Sequence, residues 1–210
     1  MPNTLQTLSA RLRTLLAPAP RFDPDLLSDP DPTVRWRTLR ALARNPQTDL
    51  VPQVLQLLAD PDPTIRYEAI RVLSAWAPGF EALQPAADLL ASDPPPETAI
   101  AILDLFSEAP LPAAHNLIRD RLKHENAGIR AAAARALGAH DDPDDVAHLS
   151  DLTSDPIPEV RRAACLALGE IDDPTTLPAL RRRLQDPDPL TRQIAQQAID
   201  RRQRAKPRTS

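Results

Sequence analysis

The sequence predicts an all-α solenoid: about five full helix pairs stacked in a row behind an N-terminal capping helix. Three observations predict it. An aspartate, five residues and then an arginine recur as Asp29/Arg35, Asp60/Arg66, Asp155/Arg161 and Asp186/Arg192, and the arginine slot falls at 35, 66, 130, 161 and 192, with gaps of 31, 64, 31 and 31. The long gap holds one degenerate repeat, and a period in this range marks helix-pair units that bury their apolar sides only against their neighbours. The prolines, Pro 25 in all, fall mostly between helical stretches, at Pro30, Pro32, Pro61, Pro63, Pro143, Pro174, Pro187 and Pro189, where they act as punctuation. Gly 4 and an aromatic share of 3% argue against a β-rich fold.

At the start, Leu5, Leu8, Leu12, Leu15 and Leu16 form one helical stripe, broken by the prolines from Pro18 to Pro24. Residues 1–22 are therefore read as a capping helix and linker, 23–204 as the repeat array, and 205–210 as a basic tail that frays. In the second unit a first helix is expected from about Asp49 to Ala59, with Val51, Val54, Leu55 and Leu58 on one face. The turn Asp60-Pro61-Asp62-Pro63 follows, then a second helix from about Thr64 to Ala77. Asp62 can cap that helix by accepting backbone N–H bonds, and Pro63 suits the first helical position because its missing donor would go unused there. Asp31-Pro32 and Asp188-Pro189 repeat the device, and the residue before each proline is pushed out of the helical region, so the two helices must be separate.

Second helices laid over one another share a core pattern at i, i+4, i+7 and i+8. Ile65, Ala69, Val72 and Leu73 match Ile129, Ala133, Ala136 and Leu137, and then Val160, Ala164, Ala167 and Leu168. The degenerate unit keeps the pattern as Thr98, Ile102, Leu105 and Phe106, although its arginine slot holds Ala99 and its turn is Pro94-Pro95-Pro96. The last helix, about Leu190 to Arg204, turns polar through Gln193, Gln196 and Gln197, as an end cap must.

A net charge of -4 gives no global pull toward nucleic acid or anionic membrane. The one cysteine, Cys165, has no internal partner and points to a reducing compartment. No apolar stretch approaches membrane-spanning length, and Arg11 and Arg13 interrupt the opening segment that would otherwise look like a targeting signal. A cytoplasmic protein is expected.

The run from Asp155 to Gly169, with Val160-Arg161-Arg162-Ala163-Ala164 at its centre, resembles a HEAT-like repeat of the phycobilisome-lyase type, and Ile129 to Gly138 resembles it too. The resemblance covers about residues 23 to 204 and implies a right-handed α-α superhelix. It further implies that the recurring aspartates and arginines form a ladder along the turns and that the second helices line the concave face. For activity it implies little, since such repeats serve lyases, hydroxylases, relatives of DNA glycosylases and many scaffolds. HEAT-type hydroxylases carry several His-Glu pairs, whereas this chain has only His124-Glu125. The glycosylase relatives present concave tryptophans with an aspartate over a basic surface; Trp36 and Trp76 occur here without an evident acidic partner.

Asp29, Arg35, Asp60, Arg66, Asp155, Arg161, Asp186 and Arg192 are accordingly read as a structural ladder between neighbouring turns. The candidate ligand-binding residues come from second-helix positions that the core does not use. Trp36 and Arg40, and Tyr67 and Arg71, are aromatic and arginine pairs four apart at equivalent slots of adjacent repeats, hence neighbours on their helices. Arg37, Arg135 and Arg162 extend the strip. If the row faces the groove, it suits an acidic peptide, a phosphate or a planar ligand. The alternative is that Trp36 and Tyr67 cover the edge of the core.

No catalytic constellation emerges, and neither a metal nor another cofactor is expected. His140, Asp141, Asp144 and His148 share an inter-repeat turn, but Asp172-Asp173-Pro174 repeats Asp141-Asp142-Pro143, so these aspartates are read as helix caps. His115 carries no constellation in the sequence. Cys165 lacks a histidine partner and is read as a buried structural thiol, and Arg181-Arg182-Arg183 as solvated surface. The expected function is a scaffold that binds a protein or peptide partner, acidic in one version, with no catalysis of its own. Nucleic acid and membrane are disfavoured, and oligomeric state is open. The alternatives are a bilin-lyase-like accessory subunit and a protein that binds DNA lesions.

Overall fold

The computed structural model describes residues 23–76 and 83–204. Within them every regular element is helical, and six layers stack in chain order. The capping stripe of residues 1–22 and the tail from 205 lie outside the described residues.

The first layer is a short 3-10 turn, Pro24–Ser28, with helix α1, Pro32–Leu42. Full pairs follow: α2, Val51–Gln56, with α3, Pro63–Trp76; α4, Gln84–Ala91, with α5, Pro96–Glu108; and α6, His115–Asp120, with α7, Ala127–His140. Next come α8, Val146–Leu152, with α9, Pro158–Glu170, and α10, Leu177–Arg183, with α11, Pro189–Arg204. The degenerate unit takes its place as the third layer, α5 packing against both α3 and α7.

The first helices are less regular than the sequence suggests. The continuous helix expected over Asp49 to Ala59 is a 3-10 turn at Thr48–Leu50, six α-helical residues, and a second 3-10 turn at Leu57–Ala59. A 3-10 turn tightens the chain where helix ends must bend into a loop.

The second helices start where the turn chemistry requires. Thr33 N–H donates to Asp31 Oδ1 and Thr64 N–H to Asp62 Oδ1, both at 2.8 Å, and Thr191 N–H donates to Asp188 Oδ2 at 2.8 Å. These caps satisfy donors that no helical carbonyl can reach. The four-position core pattern is buried in every layer compared above, Thr98, Ile102, Leu105 and Phe106 of the degenerate one included. Thr98 apart, these residues belong to one continuous apolar core running through the stack.

Second helices pack against one another more closely than first helices do. Toward the C-terminal end that approach is closest. A Cβ placed on Gly138 would lie 2.7 Å from Ala167 Cα, and one on Gly169 would lie 2.7 Å from Ala198 Cβ. Among the described residues no helix is long and apolar enough to cross a membrane.

Candidate binding ridge and inter-layer ladder

The ladder residues join layers by a repeated geometry. Arg35 sends Nε and Nη2 to the two oxygens of Asp60 at 2.8 and 3.0 Å, while its Nη1 donates to the Asp29 and Pro30 carbonyls at 2.8 and 3.2 Å. Arg130 grips Asp155 at 2.8 and 3.0 Å, and Arg161 grips Asp186 at 2.9 and 2.7 Å. Each arginine is thus bidentate to the aspartate of the following layer and touches its own turn only through backbone carbonyls. The sequence pairs Asp29 with Arg35 by proximity, but the carboxylate partner lies one layer further on. Within its own turn each carboxylate also accepts a backbone bond, as from Asp188 N–H to Asp186 Oδ1 at 3.0 Å. Burial alone would raise the Asp186 carboxyl, yet the Arg161 bonds and the Asp188 N–H outweigh it and hold the group below the ordinary carboxylate value.

Around the third layer the ladder is interrupted. Arg66 donates only to the Asp60 and Pro61 carbonyls, at 2.7 and 3.2 Å, and among the described residues it has no carboxylate partner. Ala99 offers no donor, so the next rung is missing as well. Arg192, at the end of the array, likewise bonds only the carbonyls of Asp186 and Pro187, at 2.8 and 3.2 Å.

The row of candidate ridge residues is uneven along the stack. Arg40 lies over the Trp36 ring, its guanidinium carbon 4.9 Å from the centroid, and Trp36 is half-buried against the core. Tyr67 is 55% exposed and makes no side-chain hydrogen bond among the described residues. Arg71 is drawn to Glu68 at 3.2 Å, Arg135 to Asp104 at 2.6 Å and Arg162 to Asp188 at 3.0 Å. Arg37 is exposed. Of the two aromatics Tyr67 alone therefore stands clear, while most of the arginines expected to extend the row are held by carboxylates. Trp76 belongs elsewhere: it is buried and donates Nε1–H to the Leu42 carbonyl at 3.3 Å, tying the second layer to the first.

The other sequence candidates separate sharply. Asp141 ends α7 in the left-handed region with φ 52°, and its Oδ1 accepts the Asp172 N–H at 2.7 Å, while Asp142 and Asp173 accept from Asp144 and Thr175 N–H at 2.9 and 2.6 Å. His148 faces a different groove, of about 420 Å³, shared with Arg119, Lys123 and Asp151. The expectation that His115 stands alone is overturned: its Nε2 lies 2.9 Å from Asp145 Oδ2 and 3.7 Å from Asp142 Oδ2, and the His140 ring is 5.1 Å away. The fold brings these together from two layers, which no local spacing could show. Burial lowers the His140 pKa, and the neighbouring His115 lowers it further. Burial pushes the Cys165 thiol up to about 12, and no nucleophile is formed there.

With this geometry in place the family follows. The family model described as HEAT repeats matches residues 25–105, 83–157 and 116–200. The chain belongs to the HEAT-repeat family. Among solved structures, this HEAT-repeat chain is similar to the archaeal HEAT-like repeats protein from Thermococcus onnurineus NA1, at 14% identity and a TM-score of 0.52, covering 96% of this chain and 90% of that one. An engineered protein aligns at 19% identity and a TM-score of 0.52, covering 86% and 97%. A designed armadillo repeat protein in complex with the peptide (KR)4 aligns at 16% identity and a TM-score of 0.50, covering 85% and 97%. At these identities the likeness is one of fold. No curated protein sequence matches the chain.

Proposed function

We propose that this HEAT-repeat chain is a non-catalytic binding scaffold that takes a protein or peptide partner on its inner face, through Trp36, Arg40, Tyr67 and Arg71. The observation that carries the reading is Tyr67, a large aromatic left more than half exposed on the inner row beside the Trp36–Arg40 stack. A rigid aromatic loses little conformational freedom on binding, which is why such residues anchor interfaces. The designed armadillo repeat protein of similar fold was solved in complex with the peptide (KR)4, which is basic. Here the local sign is reversed, because Arg37 and Arg40 stand without a carboxylate partner among the described residues, so the favoured partner segment carries acidic or aromatic side chains.

A role on nucleic acid is disfavoured by the same geometry. Arg71, Arg135 and Arg162 are already engaged by Glu68, Asp104 and Asp188, and too few free cations remain on the row to neutralise several phosphates. The phycobilisome-lyase subtype rests on repeat sequence alone, and no feature of the inner face favours it. A cytoplasmic location accords with the lone buried thiol.

The test uses fluorescent acidic, neutral and basic peptides titrated onto the full chain. Tyr67→Ala should weaken binding of acidic peptides about tenfold or more, equivalent to about 1.4 kcal/mol, while leaving the melting temperature unchanged. Retained affinity in that variant together with lowered stability would instead assign the ring to the core.

A further inference from the structure

At the period of 31 residues, His115 falls where the next two layers carry Val146 and Leu177. Asp145 falls where its neighbours carry Ala114 and Thr176, and His140 where they carry Ala109 and Ile171. Three ionisable side chains thus replace small, apolar or neutral ones at a single seam, between the fourth and fifth layers. Such replacements cost stability unless something compensates them.

The protein's own hydrogen bonds leave that compensation incomplete. Asp145 is fully buried; its Oδ1 receives Arg119 Nε–H at 2.8 Å, but its Oδ2 has no hydrogen-bond partner. Oδ2 instead faces His115 Nε2 at 2.9 Å, and that nitrogen is also 2.9 Å from Arg119 Nη2. One ring nitrogen cannot both accept from Arg119 and donate to Asp145. If it accepts, two lone pairs face each other; if it donates, two N–H groups do. His140 adds further unmet demand, since both of its ring nitrogens are buried without a partner.

We propose that His115 Nε2, Asp145 Oδ2 and Asp142 Oδ2 form a binding site for a divalent transition-metal ion such as Zn²⁺, with the fourth position left to water or a ligand. The three defined donor atoms lie within 4.8 Å of one another. A tetrahedral zinc with ligands near 2.0–2.1 Å would hold them about 3.3 Å apart, and the observed 2.9 and 3.7 Å bracket that spacing. Imidazole with carboxylate is a donor set suited to zinc rather than to magnesium or calcium. Without the ion, Arg119 supplies the positive charge. Its side chain is 28% exposed and borders the open groove with His148, so its guanidinium has room to swing out when the metal enters.

The full chain is titrated with Co²⁺ and with Zn²⁺ against a competing chelator. One Co²⁺ per chain is expected, with the visible absorption of a low-coordinate nitrogen and oxygen site, displaced by Zn²⁺. His115→Ala and Asp145→Asn should each weaken binding about a hundredfold or more, since losing a ligand costs at least what losing its supporting partner does. Arg119→Gln, which removes the competing cation, should tighten it, and His148→Ala should leave it unchanged. Should Asp145→Asn fail to fold by circular dichroism, His115→Ala and Arg119→Gln decide. Absence of one-to-one binding, affinity indifferent to His115→Ala, or weakened binding in Arg119→Gln would each overturn the site and leave a structural ion-pair network.

Discussion

Gly169 of α9 lies against Ala198 of α11 so closely that an added Cβ would meet the alanine Cβ at 2.7 Å and its Cα at 3.1 Å. A glycine inside a helix costs up to roughly 1 kcal/mol of propensity relative to alanine, and in the last turn of α9, where Gly169 sits, the gain from Gly169→Ala in an isolated helix would be smaller. Here the obstacle includes backbone, which yields only if two layers separate, and overpacking of that kind costs about 1–3 kcal/mol. Net destabilisation is expected, measured as a lower denaturant midpoint. Gly128→Ala meets the flexible tip of Ile100, Cδ1 at 2.9 Å, and should be milder.

Cutting one rung of the ladder should depend on its position. Arg161 and Asp186 are 7% and 3% exposed, so Arg161→Ala leaves a buried carboxylate with Arg183, at 3.4 Å, as its remaining cation partner, at a cost of about 3 kcal/mol. Arg66→Ala removes two hydrogen bonds to backbone carbonyls and no carboxylate pair, and should cost about 1–2 kcal/mol. Equal losses in urea melts of the two variants would contradict this account of the rungs.

Acid should loosen the array through the same pair. The folded Asp186 carboxyl lies below its ordinary value, so its stabilisation is complete above the unfolded carboxylate pKa of about 3.9 and is lost as pH falls through the lower folded value. The melting temperature should therefore drop with a steeper slope below about pH 4 than in Asp186→Asn. Parallel slopes would show that Asp186 contributes nothing to the acid limb.

Cys165 reports on unfolding. With its pKa pushed up to about 12 by burial, the native thiol stays protonated and should resist a disulfide reagent at pH 8, reacting only as α9 opens. Fast labelling of the native chain, unaffected by denaturant, would place that thiol at the surface.

Much of the architecture was legible because its signal is periodic. Val160, Ala164, Ala167 and Leu168 recur in each layer compared, and the aspartate-proline turns cap the helices they precede. What escaped is relational. The spacing of Asp29 and Arg35 gives the pattern but not that Arg35 reaches forward to Asp60, because the direction of a rung depends on how layers stack. His115 looked isolated because its partners Asp142 and Asp145 belong to the next layer. Laying the first helices over one another would have exposed it, since a histidine in the slot of Val146 and Leu177 is the anomaly. Tyr67 and Trp36 occupied equivalent slots in the sequence, yet one is exposed and the other half-buried, a difference set by the neighbouring layer.

The interrupted ladder gives the array unequal joints. Among the described residues no arginine–aspartate cross-link joins the turns of the second and third layers, and the second helices contribute a bond from Ser74 to Glu108 at 3.3 Å. The fifth and sixth layers, by contrast, are clasped by the two-pronged grip of Arg161. Breathing motions of least cost should gather at the weak joint. The first two layers, which carry Trp36 and Tyr67, would then pivot as one block while the later layers hold station. A partner of imperfect shape docked as proposed would be met by a change of bend, with the two-pronged arginine grips of the later layers intact.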